Sequence, residues 1–137
     1  MEDLTYMSDF LPDVAVSVIF KDSDKYNTLK PIFDEYGFGF MVPNQNLIII
    51  DGENLTDEEY NDDILNFIEA HEVSHILLGH DGPRNEQDEL DADYGAYLLL
   101  KKHGIENSVE MLLDTFFERH NTEFDIKRVK ELEDKIL

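Results

Sequence analysis

The sequence of 137 residues predicts an α+β domain, in which a small β-sheet forms early in the chain and helices follow it. Two observations predict this class. Short apolar runs typical of strands all lie before residue 52, and helical periodicity prevails from about residue 60 onwards. The length fits one hydrophobic core and 42% of the residues are apolar, so we expect a single domain over residues 1–137.

The first predicted elements are a strand, a helix and a hairpin. Alternating apolar residues predict a strand over Val14–Phe20. Ser23–Tyr36 has helical character, although Pro31 must kink or restart that helix. Two apolar runs, Gly37–Val42 and Leu47–Asp51, flank four residues of turn composition and predict the hairpin.

The strongest local signals belong to a long helix in the middle of the chain. Thr56 and Glu59 have the spacing of a capping box, which satisfies free backbone amides at the start of a helix. Gly79 suits the left-handed residue that ends a helix. Between these signals, the residues that recur at helical spacing and should form the buried face are Ile64, Phe67, Ile68, His71 and His75.

Three further helices are predicted in the C-terminal half. They cover about Asn85–His103, Ser108–Arg119 and Thr122–Ile136. The first of them follows a turn-forming Asp-Gly-Pro sequence, and the last has only modest periodicity.

The composition narrows the classes of function. Because the sequence has no cysteine, it predicts no disulfides and no thiolate ligands, so any metal must be held by His, Asp or Glu. A formal net charge of -21 opposes binding to nucleic-acid phosphates or to anionic lipid. The first residues do not have the pattern of a secretory signal, and no apolar stretch reaches the roughly 20 residues that span a bilayer. We therefore expect a cytoplasmic protein that binds neither nucleic acid nor membranes.

The motif that carries chemistry is His71-Glu72-Val73-Ser74-His75, a His-Glu-x-x-His pattern within the long predicted helix. Its two histidines are one helical turn apart, so both imidazoles can reach a single tetrahedral zinc ion. Glu72 is displaced by about 100° from His71 around the helix, where it can take a proton from water activated by the metal. The pattern therefore predicts His71 and His75 as metal ligands and Glu72 as the catalytic base.

A third ligand is available in the next predicted helix, which contains Glu89, Asp91 and Asp93. Glu89 and Asp93 share a helical face with Ala96, a small residue that lets two helices approach closely, whereas Asp91 points the opposite way. The favoured arrangement has Glu89 binding the metal and Asp93 accepting the free N–H of a ligating histidine. Asp91 is the alternative ligand, and in that case Asp93 loses its supporting role.

A competing scheme takes the third ligand from the end of the first helix. Metzincins have a glycine three residues and a ligand six residues beyond the second histidine, and these positions are Leu78 and Asp81 here. Without the glycine the sharp turn is difficult to form, so a ligand from the following helix is preferred. His80 is then expected to cap the helix or to have a structural role, and His103 and His120 are expected at the surface.

Two stretches, residues 37–51 and 67–80, resemble the ImmA/IrrE-type metallopeptidases. In that family a short hairpin precedes an Ala-His-Glu-x-x-His helix that ends in Leu-Gly-His, as Ala70–His80 does here. The next helix of the family carries an acidic-x-acidic-Ala-(Asp/Asn) segment and a leucine-rich stretch, which Glu89–Asp93 and Leu98–Leu100 match. Two features differ. Family members often carry or adjoin a helix-turn-helix DNA-binding segment, and their leucine-rich stretch usually ends in Met-Pro instead of Lys-Lys.

The resemblance implies a minimal zincin of the gluzincin kind, with a small sheet packed on the active-site helix, an open cleft between them and further C-terminal helices. It also implies a cytoplasmic zinc endopeptidase, with His71, His75 and Glu89 as ligands and Glu72 as the base. Its substrate would be a regulatory protein inside the cell, either a basic protein or a repressor-type regulator. We further expect Leu47–Asp51 to present a free strand edge to which a substrate peptide can add.

Two other functions are compatible with the sequence. The first is a catalytically weak or inactive protein-binding module of zincin descent. The presence of Glu72 argues against it, because a purely structural metal site has no need of a base. The second is an acidic mimic of nucleic acid that captures a DNA-binding protein, which the net charge favours and the His-Glu-x-x-His motif does not.

Overall fold

The computed structural model describes residues 3–42, 44–55, 61–80, 85–105 and 122–136. The chain divides into two compact units, Met1–Asn61 and Asp62–Leu137. The elements in chain order are strands β1 (Leu4–Met7) and β2 (Ala15–Ile19), helix α1 (Tyr26–Tyr36), strands β3 (Gly39–Val42) and β4 (Leu47–Asp51), a short 3₁₀ helix (Gly52–Asn54), and helices α2 (Asn61–Leu77), α3 (Glu86–Lys102) and α4 (Glu123–Ile136). These elements confirm the α+β class, while the expectation of a single domain stays a prediction.

The N-terminal unit contains a four-stranded mixed sheet in the order β1-β2-β4-β3. The outer strands pair antiparallel with their neighbours, and the central strands β2 and β4 run parallel, with Val16 opposite Ile48 and Val18 opposite Ile50. These four side chains are completely buried, as expected for β-branched residues in the middle of a sheet. The predicted hairpin is confirmed as the pair β3 and β4.

Strand β4 has no free edge, so the expectation that Leu47–Asp51 could accept a substrate peptide is wrong. It is hydrogen-bonded to β2 on one side and to β3 on the other. One edge of the sheet is β1, which the sequence did not predict. Its residues Leu4 and Met7 are 46% and 55% exposed, so the strand lacks the alternation of buried and exposed residues that makes strands recognisable.

Helix α1 packs on the sheet through an aromatic cluster. Tyr26 and Phe33 of α1 are buried together with Phe40 of β3 and Ile19 of β2. The ring centroids of Phe33 and Phe40 are 5.5 Å apart, and those of Tyr26 and Phe33 are 6.0 Å apart. The helix begins three residues later than predicted, because turns precede it, and it continues through Pro31.

Helix α2 carries the His-Glu-x-x-His motif and is buried on all sides over Phe67–His75. The sequence predicted burial of one face only. A helix that is buried all round needs a partner for each polar side chain that it carries. The predicted capping residues Thr56 and Glu59 lie outside the described residues.

The C-terminal end of α2 is a Schellman motif built around Gly79. This glycine has a φ of 75°, and its amide donates to the carbonyl of Ile76. The amide of His80 reaches back to the carbonyl of His75, at 2.9 Å. The motif confirms the predicted role of Gly79 and folds His80 over the last turn of the helix.

Helices α3 and α4 also agree with the prediction. At the start of α3, the side chain of Asn85 accepts a hydrogen bond of 2.9 Å from the amide of Asp88. At the start of α4, the hydroxyl of Thr122 accepts one of 3.1 Å from the amide of Asp125. The predicted helix over Ser108–Arg119 lies outside the described residues. Among the helices that the structure describes, none is long and apolar enough to cross a membrane.

Helices α2 and α3 approach each other closely at Ser74 and Gly95. A Cβ atom on Gly95 would lie 2.8 Å from the Oγ of Ser74 and 2.9 Å from its Cβ, closer than side-chain atoms approach in proteins. The small residues Ala92 and Ala96 are completely buried on the same helix. The close approach predicted from Ala96 therefore also requires the absence of a side chain at Gly95.

We expect Gly95→Ala to destabilise the protein by about 1–3 kcal/mol, because the added methyl group collides with Ser74. In an exposed helix the same substitution stabilises by roughly 0.5–1 kcal/mol, so the sign itself is informative. Urea denaturation measures the change. In a Ser74→Gly background the collision is removed, and there Gly95→Ala should be neutral or stabilising. A Gly95→Ala protein as stable as the wild type would show that the two helices have room to spare.

Candidate metal centre

The predicted ligands His71, His75 and Glu89 converge within the C-terminal unit. The Nε2 atoms of the two histidines are 3.0 Å apart. An oxygen of Glu89 lies 2.9 Å from the Nε2 of His71, and its other oxygen lies 3.3 Å from the Nε2 of His75. The histidines come from one face of α2 and Glu89 comes from the first turn of α3. The spacing of one helical turn and the close approach of α3 together produce this cluster.

Glu72 lies beside the same histidines. One potential ligand atom from each of His71, Glu72 and His75 lies within 4.8 Å of the others. The Glu72 side chain is only 2% exposed, and His75 is completely buried. A buried His-Glu-His group of this kind could hold a metal ion.

The other candidates are not part of this cluster in the described part of the chain. Asp91, the alternative third ligand, accepts a hydrogen bond of 2.9 Å from Gln87 on the exposed side of α3. His103 is exposed at the end of α3, as expected. Asp81 and His120 lie outside the described residues. The structure therefore brings Glu89 and not Asp91 to the two histidines.

The second ring nitrogen of His71 faces Asp93. The Nδ1 atom lies 2.9 Å from the Oδ1 of Asp93, although the approach is not aligned as a hydrogen bond. Asp93 is 4% exposed, and both of its oxygens accept hydrogen bonds from Arg128, each of 2.8 Å. This buried carboxylate therefore holds its charge between an imidazole and a guanidinium group.

The second ring nitrogen of His75 faces His80. Their Nδ1 atoms are 2.9 Å apart, and the Nε2 of His80 lies 3.5 Å from a carboxylate oxygen of Asp88. When the hydrogen of His75 is on Nδ1, His80 accepts it and the Nε2 of His75 keeps its lone pair for the cluster. His80 thus orients a predicted ligand in addition to its place in the helix cap.

The chemistry of the donor atoms fits a metal cation. With a hydrogen on each Nδ1, the two buried Nε2 lone pairs face the partly buried Glu89 carboxylate, which is unfavourable without a positive charge among them. The two Nε2 atoms are 3.0 Å apart, close to the roughly 3.3 Å between two nitrogens that bind one tetrahedral ion at about 2.0–2.1 Å. Each Nε2 also has an oxygen of Glu89 nearby, at 2.9 Å for His71 and 3.3 Å for His75.

A proton supplies the positive charge in the metal-free chain. Burial lowers the pKa of His71, but the carboxylates of Asp93 and Glu89 outweigh it and raise the pKa to about 9. Burial raises the pKa of Glu89, yet hydrogen bonds and charge from His71 and His75 lower it far below its usual value. Burial also raises the pKa of Asp93, and the ion pair with Arg128 lowers it overall. A metal that binds the neutral ring of His71 must displace this proton.

The roles of Arg128, which binds Asp93, and of His80, which faces His75, were not predicted from the sequence. Arg128 lies one helical turn before the buried Leu132, and a charged side chain on the packed face of a helix signals a buried partner. Gly79 signals a Schellman motif, in which the residue after the glycine folds over the residue five positions before it. That rule could have identified the pair His75 and His80.

We expect the metal-free chain to lose stability as the pH rises from about 6.5 to about 9. The pKa of His71 is higher in the folded chain than in the unfolded one. Its stabilising contribution is therefore complete below the unfolded value and disappears as the pH passes the folded value. Urea denaturation of chelator-treated protein at about pH 6 and about pH 10 measures the difference. A His71→Gln variant controls for other titrating groups, and an equal loss in both proteins would contradict the prediction.

No family of known proteins, no curated protein and no solved structure matches this chain. The resemblance to ImmA/IrrE-type metallopeptidases stays a prediction from the motifs of residues 37–100. The chemistry and geometry of the cluster itself are therefore the basis for the function of the chain.

Proposed function

We propose that this chain is a zinc-dependent endopeptidase of the zincin kind. The observation that supports the proposal is the convergence of the partly buried Glu89 on the buried His71 and His75, beside the buried Glu72. A metal site that only stabilises a fold is usually closed by four protein ligands. A site with three protein ligands and a further carboxylate beside them has the composition of a catalytic site.

The ligand set we propose is two imidazoles and one carboxylate. This is the set used by catalytic zinc sites that keep a fourth position for water or substrate. Zinc in such a site polarises a carbonyl group and lowers the pKa of water to about 7. The chain contributes the orientation of the ligands, because Asp93 lies against His71 and His80 lies against His75 on the sides away from the cluster.

Glu72 is the proton carrier in this proposal. When water adds to the carbonyl carbon of a peptide bond, it must lose a proton, and the leaving nitrogen must gain one as the C–N bond breaks. The Glu72 carboxylate takes the first proton and delivers it to the nitrogen. Its burial supports this role, because few water molecules compete for the proton at a residue that is only 2% exposed.

The substrate we propose is a protein or peptide. With a net charge of -21, the chain attracts positively charged segments over long distances, which favours a basic substrate over an acidic one. A repressor-type regulator satisfies this condition, because DNA-binding proteins carry basic surfaces.

We expect the purified chain to contain about one zinc ion, which Glu89→Ala removes and Asp91→Ala leaves in place. The reason is that Glu89 contacts both histidines whereas Asp91 is bonded to Gln87 on the exposed side of α3. Elemental analysis after zinc loading and dialysis measures the content. Zinc retained by Glu89→Ala and lost by Asp91→Ala would reverse the ligand assignment. A wild-type chain that takes up no divalent metal would exclude the proposed function.

We expect Glu72→Gln to reduce peptide hydrolysis by about 10²–10⁴-fold while zinc content stays unchanged, because the amide cannot accept the proton. Since the cleavage preference is not given by the sequence, the substrate is a randomised peptide mixture read by mass spectrometry. Glu86→Gln is the matched control, since this side chain is at the surface of α3. Hydrolysis that survives Glu72→Gln would refute the assignment of the base. Zinc binding without any hydrolysis by the wild type would favour the protein-binding module instead.

A further inference from the structure

The carboxylate of Asp93 connects helix α4 to the cluster. Its Oδ1 lies 2.9 Å from the Nδ1 of His71 and 2.8 Å from the Nη2 of Arg128. Its Oδ2 accepts a second hydrogen bond from Arg128, through Nε, also of 2.8 Å. We infer that Arg128 is a positioning residue of the metal centre, which holds Asp93 in the orientation that in turn holds His71. The inference rests on the metal site of the proposed function.

The shape of the contact supports this role. Two parallel hydrogen bonds from one guanidinium group fix both the position and the plane of a carboxylate, which a single contact from a lysine cannot do. The oxygen that faces His71 is itself one of the two oxygens bound by Arg128. A rotation of the Asp93 carboxylate would therefore change its contact with the histidine and break the bond to Arg128 together.

Arg128 is in turn held in place by α4. Its guanidinium carbon lies 5.7 Å from the ring centre of Phe124, one turn earlier in the helix, within the range of a cation–π contact. A carboxylate oxygen of Asp125 lies 4.0 Å from its Nη1. Only 11% of the side chain is exposed. An arginine that is restrained in this way loses little freedom when it binds Asp93, so the arrangement is suited to positioning.

A role limited to joining the helices is the simpler explanation, and the chain contains an internal control for it. Lys127 and Glu86 form a second ion pair between α4 and α3, with their nearest atoms 3.7 Å apart. Their side chains are 51% and 64% exposed, and within the described residues neither forms a hydrogen bond or ion pair with His71 or His75. Removing Lys127 therefore weakens the contact between the helices without changing the surroundings of His71.

The experiment compares zinc affinity, by competition with a chromophoric chelator, in the wild type and in variants of known fold stability. We expect Arg128→Lys and Arg128→Met to bind zinc about 10–100-fold more weakly, as is typical when a residue behind a metal ligand is altered. Lys127→Met should bind like the wild type. The visible absorption of the cobalt(II)-loaded protein should change in the Arg128 variants and not in Lys127→Met, because it reports ligand geometry and not stability.

A double-variant comparison tests whether Arg128 acts through Asp93. In an Asp93→Asn background, Arg128→Met should cause no further loss of zinc affinity, since the carboxylate that it positions is gone. This double variant also carries no unpaired buried charge, so it remains informative if Arg128→Met alone does not fold.

Three results would overturn the inference. If Arg128→Lys and Arg128→Met match the wild type in zinc affinity and cobalt spectrum, Arg128 only joins the two helices and does not position the metal centre. Losses that multiply in the double variant would show that it acts independently of Asp93. A wild-type chain that binds neither zinc nor cobalt would remove the proposed function and this inference with it, whereas the first two results leave the proposed function intact.

Discussion

Helix α2 buries His71, Glu72 and His75, and ionisable groups that are removed from water are stable only when they have partners. Much of the C-terminal unit can be understood from this requirement. Helix α3 brings carboxylates to the histidines, and the missing side chain of Gly95 lets it come close enough. One of those carboxylates, Asp93, is buried as well, and its positively charged partner is Arg128 of α4. Helices α3 and α4 thus each satisfy polar groups that the helix before them has buried.

The features that the sequence predicted correctly depend on short-range rules. The separation of His71 and His75 by one helical turn, and the shared face of Glu89 and Asp93, follow from helix geometry alone. Helix α3 was located to within a residue because a turn-forming Asp-Gly-Pro sequence precedes it, and the structure shows Asn85 capping its start. The strands of the hairpin were found because two apolar runs flank a short segment of residues that are typical of turns.

The features that were missed depend on what lies beside an element in space. Strand β1 pairs with β2 although its own side chains are mostly exposed, so its residues do not identify it as a strand. Strand β4 was expected to have a free edge, because nothing in its own residues reveals that β2 runs parallel to it. The partner of Asp93 is 35 residues further along the chain, and a single sequence does not relate Arg128 to that position.

The residues that orient the two histidines differ in their distance from them along the sequence. His75 meets His80 after 5 residues, through a turn that closes as soon as the end of the helix forms. His71 contacts Glu89, which is 18 residues further along the chain. Asp93, which lies against the other side of His71, is held by Arg128, 35 residues beyond Asp93. Local contacts can form early in folding, while distant ones wait for the helices to dock. The orientation of one imidazole therefore depends on a short fragment of the chain, whereas that of the other depends on contacts that exist only when helices α2, α3 and α4 are packed together.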